Sequence, residues 1–461
     1  MNRVGYVIFA VVFVGGLSLE AAEPSLIPLS FESALTKART ANERVLAAQS
    51  GVERAGAEVG VAKGRRWPEV NLGARHTFID QPIVIDLDPI RQAMLALHPS
   101  VPPAALPPFQ SRVQDDRFSN VTVNATLPLF AGGRIEAGVR ASRAGLDSAI
   151  QQRRGVEGEV SADLARRYFG LRLATENRLT RQGIRDSIRL HVDRASSLER
   201  NGQIARAERL RAEVALAEAN RELDQAARDE QLARLALSNI LASDEPVSAT
   251  TPLFRVADLP PLESFSSRAA QTNPGLGRLT AEHQRAREGV VAARGESYPS
   301  LGLFAMREIY TKDLTLLQPT WAVGIALNIP VFQGGQRVQR VNAARSQEQQ
   351  VGYLLQRARR DVTLLIEQRY RQVEEARGQL ASLQTTQALA EESLRAQQLA
   401  FGAGLATSLD VTDAEQALAR VRLGILKAMY EGDVALAGLL EATGQSERLP
   451  EFISAQTEVG R

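Results

Sequence analysis

Asp410 and Asp413 are the residues whose type and spacing most directly suggest chemistry. They stand three apart in the run Gly404-Leu405-Ala406-Thr407-Ser408-Leu409-Asp410-Val411-Thr412-Asp413-Ala414. On a helix that spacing sends both carboxylates from one face. Around a threefold axis they would stack two rings of negative charge, a device by which pores favour cations. Asp410 has a second reading. With Thr407 as N-cap it is the acid of a capping box, and an acid in the first turn also suits the helix dipole. The residues alone leave both readings open.

Little else in the chain points to chemistry. The four histidines, His76, His98, His191 and His283, lack metal-ligand spacing and read as surface residues, so no metal site is expected. There is no cysteine, which excludes disulfides, thiolate catalysis, thiolate-bound zinc or iron–sulfur clusters, and a lipidated cysteine. No nucleophile motif or phosphate loop occurs, so neither an enzyme nor a cofactor is expected. Lysine plus arginine number 55 against 53 acids, a net charge of +2. The signs alternate, as in Glu208-Arg209 and Arg359-Arg360-Asp361, which describes solvated helix faces rather than a nucleic-acid surface.

The elements that would position the aspartates come as two repeats. Leu127-Pro128-Leu129-Phe130-Ala131-Gly132-Gly133-Arg134 recurs as Ile329-Pro330-Val331-Phe332-Gln333-Gly334-Gly335-Gln336, an offset of 202 residues. Gly202-Gln203-Ile204-Ala205 faces Gly404-Leu405-Ala406-Thr407 at the same offset, and Glu208 faces Asp410. Upstream, Asn42 matches Asn273 and Trp67-Pro68 matches Tyr298-Pro299 at an offset of 231. The difference of 29 residues is an insertion in the first repeat, visible as prolines crowding residues 82–108. That segment reads as a surface loop with a short helix near Ile90–Leu97.

Within each repeat the hydrophobic period switches between two and about 3.6. Val121, Val123, Ala125 and Leu127 alternate with polar residues, as do Trp321, Val323, Ile325, Leu327 and Ile329 with their neighbours. The spacing predicts strands at about 67–80, 118–130, 297–310 and 320–332. Aromatic residues Trp67, Phe130, Tyr298, Trp321 and Phe332 stand at their ends, where membrane interfaces are commonly marked. Long helical patterns cover 134–200 and 336–402, the second with a heptad-like seam that includes Val351, Leu355, Val362, Val373 and Leu380. Shorter ones cover about 31–66, 203–242, 263–296 and 405–443. A 67-residue helix spans about 100 Å. By length, 203–242 can stack on 263–296, and 405–443 on 31–66, each pair flanking a long helix. The connector 243–262 would form a belt at mid-height.

Residues 1–22 read as a signal peptide: Arg3, an apolar run Val4–Leu19, then Ala21-Ala22. No other run approaches the ~18 apolar residues of a spanning helix, which leaves a β-barrel as the route into a membrane. Four strands cannot close a barrel alone.

In this order and spacing, the paired Pro-x-Phe-x-Gly-Gly boxes, the Trp-Pro and Tyr-Pro entries and the glycine tips resemble the TolC family of outer-membrane efflux channels over residues 30–445. The resemblance implies a mixed α and β membrane protein, with a long coiled-coil α-helical barrel and a 12-stranded β-barrel formed by a trimer, four strands per protomer. It implies a first repeat at 23–245 with an extracellular loop at 81–117 and a tip near 202, and a second at 246–461 with a tip near 404. It implies a passive exit duct in the outer membrane with a periplasmic helical tunnel. Drugs or other small molecules would reach it from an inner-membrane transporter of RND or ABC type through a periplasmic adaptor (membrane fusion protein). A type I protein-secretion outlet is the alternative; a periplasmic coiled-coil scaffold would leave the strands unexplained.

By the family motif, Asp410 and Asp413 form the pore constriction. Phe401 takes the place of a gating tyrosine and Ala406 that of an arginine, so packing, or Arg206, Arg209 and Arg211, would hold the gate. The adaptor would dock on Gly202, Gln203, Ile204, Gly404, Leu405, Ala406 and Thr407. Pro128, Gly132, Gly133, Pro330, Gly334 and Gly335 would form the strand–helix junctions.

Overall fold

Two copies of one series of elements make up the chain. The computed structural model describes residues 26–315 and 319–459, with side chains to residue 455; the expected signal peptide at 1–22 lies outside the described residues. The first series runs β1 (Ile27–Leu29), α1 (Phe31–Ala41), α2 (Glu43–Gly64), β2 (Glu69–Phe78), β3 (Ile83–Asp86), α3 (Asp88–Leu97), β4 (Gln110–Gln114), β5 (Arg117–Phe130), α4 (Arg134–Arg200) and α5 (Arg206–Ile240). The second runs β6 (Val247–Ala249), α6 (Leu262–Thr272), α7 (Pro274–Gly295), β7 (Ser300–Lys312), β8 (Trp321–Asn328), α8 (Gln336–Gly402) and α9 (Ser408–Ala442), with α10 (Leu449–Val459) after it. Helices α4 and α8 are both 67 residues long, and α5 and α9 both 35.

The helices expected at 31–66 and 263–296 are each broken in two, at Asn42 and Asn273. Both asparagines have extended backbone and cap the helix that follows. Asn42 Oδ1 accepts from Arg44 N (3.0 Å) while its Nδ2 donates to Ile240 O, the last residue of α5 (3.1 Å). Asn273 Oδ1 accepts from Leu276 N (2.9 Å) while its Nδ2 donates to Ala442 O, the last residue of α9 (2.7 Å). Pro274 reinforces the second break, because a residue before proline is driven from the α region. These joints correct the stacking expected from length. Helix α2 stands on α5 and α7 on α9, each within its own repeat, rather than α7 on α5 and α2 on α9. Length could not separate the two arrangements, since α2 and α7 are both 22 residues long.

At the joints the belt is built. β1 pairs in parallel with β6, from Ile27 opposite Val247 to Leu29 opposite Ala249. The buried Tyr168 of α4 locks this pair, its hydroxyl donating to Leu29 O (2.7 Å) and accepting from Thr251 N (2.8 Å). Phe31 stacks on Phe169 at 5.3 Å and meets Tyr168 edge-on at 5.4 Å. Burial of such rings dominates local core energetics.

One acid of this core has no cation. Asp433 in α9 is fully buried; among the described residues Oδ2 accepts only from Phe254 N (3.4 Å) and Oδ1 has no partner. Burial pushes its carboxyl well above the usual carboxylate range. Burial also raises Glu415 and Glu441. A proton held more tightly by the folded chain than by the unfolded one makes stability fall as pH rises through the folded pKa. The contribution of Asp433 to stability is therefore expected to grow as pH falls from 7 toward about pH 4, with a limiting slope of about 1.4 kcal/mol per pH unit for the one extra proton it holds, opposed by groups such as His191 and Asp410 whose pKa is lowered. Asp433→Asn should flatten that slope in thermal melts. An unchanged slope would mean that Asp433 is ionised in the fold.

Strands β2, β5, β7 and β8 form one antiparallel sheet in the order β2-β5-β7-β8. The two hairpins share one register. Glu69 opposite Thr126 and Gly73 opposite Thr122 become Ser300 opposite Asn328 and Phe304 opposite Gly324. Strands β2 and β8 are unpaired on their outer edges, and Trp321, Val323, Ile325 and Leu327 are all more than 60% exposed. The insertion contains α3 close to the expected place, and also a β3–β4 pair that continues the β2–β5 hairpin. At the exit from β5, a Cβ on Gly132 would collide with Gly295 O at the end of α7. That close approach admits only glycine.

Candidate functional site

The end of the molecule farthest from the strands carries the aspartates. Each tip turns through a glycine in the left-handed region, Gly202 (φ 71°) and Gly404 (φ 76°). Around each, the helix is closed in the same way: Gln203 N donates to Leu198 O, and Leu405 N to Ala400 O, both at 2.9 Å. These bonds satisfy carbonyls that a helix end leaves open.

Phe401 holds the two tips together. It is buried with Ala195, Ala212 and Val411, and Ile204 and Ala406 pack against this cluster. All four helices α4, α5, α8 and α9 contribute. Its ring lies 4.6 Å from that of His191. The histidine is buried, which corrects the expectation of a surface residue. Its Nε2 lies 3.2 Å from Ser408 Oγ in a hydrogen bond whose donor depends on the imidazole tautomer. Burial, and then Arg194, lowers its pKa, opposed by Glu208. The imidazole is therefore neutral at neutral pH.

The start of α9 is capped twice. Thr407 and Asp410 complete the capping box: Asp410 N donates to Thr407 Oγ1 (3.3 Å), and Asp410 Oδ2 accepts from Thr407 N (2.7 Å) and Thr407 Oγ1 (2.7 Å). The backbone bond from Thr407, followed by its hydroxyl, holds the Asp410 carboxyl below the usual range. The second cap comes from the other hairpin, where Glu208 Oε2 accepts from Ser408 N (2.9 Å). Glu208 is the counterpart of Asp410 in the first repeat, but its own N-cap position holds Ala205, which offers no side-chain acceptor. Its carboxylate crosses to α9 instead. Two turns farther along α9, the buried Glu415 accepts from Ser187 of α4 and from Gln398 of α8 (3.3 Å). Asp413 is exposed, and among the described residues its side chain makes no ion pair or hydrogen bond.

Residues 34–243 and 265–445 match the outer membrane efflux protein family. The chain belongs to this family. Membership places it in the outer membrane, with its helical part in the periplasm. It is 26% identical over 341 residues to the cobalt-zinc-cadmium resistance protein CzcC of Cupriavidus metallidurans, covering 72% of this chain and 80% of that one. It is 27% identical over 251 residues to the alkaline protease secretion protein AprF of Pseudomonas aeruginosa, spanning 51% of this chain and 52% of that one. The fold is that of CusC, solved in connection with folding and transmembrane channel formation, at a TM-score of 0.75 and 16% identity over 92% of this chain and 95% of that one.

In this outer membrane efflux protein the three tip arginines do not bridge the hairpins. Arg209 pairs with Glu199 and Glu213 of its own hairpin, whose hydrogen bonds raise its pKa. Arg211 pairs with Glu208 (2.7 Å). Arg206 is exposed and makes no ion pair among the described residues. The bridging groups are Glu208, Ser408, His191 and the Ser187–Glu415 pair, none of which sequence reasoning placed at the site. The one available signal was the offset of 202 that equates Glu208 with Asp410. Of the tip residues, Leu405 is 84% exposed, whereas Ile204 is half-buried. At the opposite end Pro128 lies inside β5, opposite Gly302, and Pro330 O accepts from Arg337 Nη1 (2.8 Å). Gly132, Gly133, Gly334 and Gly335 all adopt positive φ.

Proposed function

We propose that three copies of this chain close a 12-stranded barrel above a helical tunnel and act as the passive outer-membrane duct of an efflux system. An inner-membrane transporter of RND or ABC type would deliver cargo through a periplasmic adaptor seated on the tips. The observation that carries the reading is a four-stranded sheet with two open edges and an exposed apolar face. Lipid does not tolerate open edges, so β8 must meet β2 of another copy.

Internal symmetry supplies the register. Within the chain β5 pairs with β7, with Ala125 opposite Ala305 and Thr126 opposite Phe304. The same offsets set Leu327 opposite Ala74 of the partner subunit and Asn328 opposite Gly73 of the partner subunit. They also bring Gly334 against Gly64 of the partner subunit, repeating the contact of Gly132 with Gly295. Both Gly334 and Gly64 have open space in the single chain. The absence of cysteine makes the test direct. Leu327→Cys with Ala74→Cys should oxidise to a covalent trimer, while Leu327→Cys with Leu72→Cys should not. The purified trimer should conduct in a planar bilayer. Cross-linking only in the shifted pair would refute the register; no cross-linking and no current would refute the duct.

For cargo, the acidic pair Asp410 and Asp413 and the likeness to a metal-resistance protein favour cations. A second reading, the outlet of a type I protein-secretion system, draws on the likeness to AprF.

A further inference from the structure

A cavity of about 530 Å³ opens where α7 stands on α9, flanked by α4 and α8. Two of its donors are orphaned. Among the described residues Ser446, 93% buried, has no partner for its hydroxyl, and Arg39 Nε is buried without one. Arg39, Arg154, Arg278 and Arg369 line the space, and none of them makes an ion pair among the described residues. Glycine floors the walls at Gly155 and Gly158 on α4 and Gly438 on α9. A Cβ on Gly158 would sit 3.4 Å from Ser446 Oγ.

Four carboxylates also line the cavity, and their partners decide its sign. Glu157 is paired with Arg153, and Glu159 with Arg44, both arginines lying outside the lining. Glu447 is exposed. Glu441 makes no ion pair among the described residues. Four guanidinium groups thus face the cavity against two carboxylates, Glu441 and Glu447, that are not already paired outside it.

We propose that this cavity is a binding site for a small tetrahedral oxyanion of the phosphate or sulfate type. A tetrahedral anion offers acceptors in several directions at once, matching a buried hydroxyl and planar guanidinium forks that converge from different helices. The site uses residues of one chain only, so it does not rest on the channel reading. A lipid headgroup is not the source of the anion. The lining begins at Gln151, 17 residues along α4 from Arg134, or about 25 Å below the strands. A bound anion would tie α4, α7, α8 and α9 together at the joint.

The test is a thermal melt and a calorimetric titration of the full-length protein with inorganic phosphate, against chloride at equal ionic strength. Phosphate should raise Tm saturably, as any ligand of the folded state does. In Ser446→Ala and Arg39→Gln the half-saturating phosphate concentration should rise by about tenfold or more, the scale of a lost hydrogen bond to a charge. Their melts in chloride serve as the folding control. A wild-type protein that shows no saturable phosphate effect overturns the site, and so does an undiminished effect in both variants.

Discussion

Asparagine in place of both Asp410 and Asp413 is expected to leave the protein trimeric and conducting while removing its preference for cations. The amide separates the two roles that Asp410 has in the sequence. In Asp410→Asn the new side chain keeps an oxygen that can accept from Thr407 N and Oγ1, so most of the capping box survives, but the charge is gone. Asp413 has no partner to lose, so its substitution removes charge alone. In a trimer the pair removes six carboxylates from one constriction, and cation-over-anion selectivity should fall on the order of tenfold at low salt, less at high salt where charges are screened. The measurement is the reversal potential of single channels under a salt gradient. If the reversal potential of the double variant matches wild type, Asp410 is a cap and nothing more, and Asp413 lies off the ion path. Asp410→Ala is the complementary control: it should add fraying of the first turn of α9, visible in hydrogen exchange at Thr407 to Asp413.

The second large effect is expected at Phe401. Its ring fills the space between four helices at the tip, and truncating a buried phenylalanine costs about 3–5 kcal/mol. The loss is local, because the belt core around Tyr168 lies far up the helices. Phe401→Ala should therefore shift global melting little, yet expose residues 195–215 and 395–415 to proteolysis and fast exchange, and enlarge single-channel conductance. Phe401→Tyr should do neither, since a cavity of about 180 Å³ beside His191 and Gln398 can take the hydroxyl. Equal protection in Phe401→Ala and wild type would show that the polar contacts at Ser408 and Glu415 hold the tip unaided.

Long periodic segments were the legible part of this chain. The helices at 134–200 and 336–402 start and end at Gly-Gly and Asn/Gly signals that no tertiary contact needs to supply, and the structure has them at those bounds. The capping box at Thr407 was equally readable, because both of its partners are local. The breaks at Asn42 and Asn273 were visible as a repeat match, but their meaning depends on carbonyls of α5 and α9 that lie 198 and 169 residues away. For the same reason the stacking could not be chosen by length. His191 was misread because a lone histidine in a charged helix looks solvated; its burial comes from Phe401 and from Ser408, which lies 217 residues along the chain. Glu208 was hidden by the pseudo-symmetry itself. The matching residue caps its own helix, whereas Glu208, with Ala205 where the second repeat has Thr407, caps the other.

The joints at Asn42 and Asn273 divide the helical columns into two mechanical kinds. Helices α4 and α8 are rods without a break, whereas the columns beside them are each two rods meeting at a pin. A column with a break of this kind can bend at the break, whereas a continuous helix can bend only by distorting its own hydrogen bonds. From the level of Asn273 to the tip, the 35 residues of α9 make a lever of about 50 Å, so a tilt of about 5° moves its end by roughly 4–5 Å. If the duct proposed above opens at its tips, a tilt about this joint would move them by nearly one helical pitch with almost no movement at the strands.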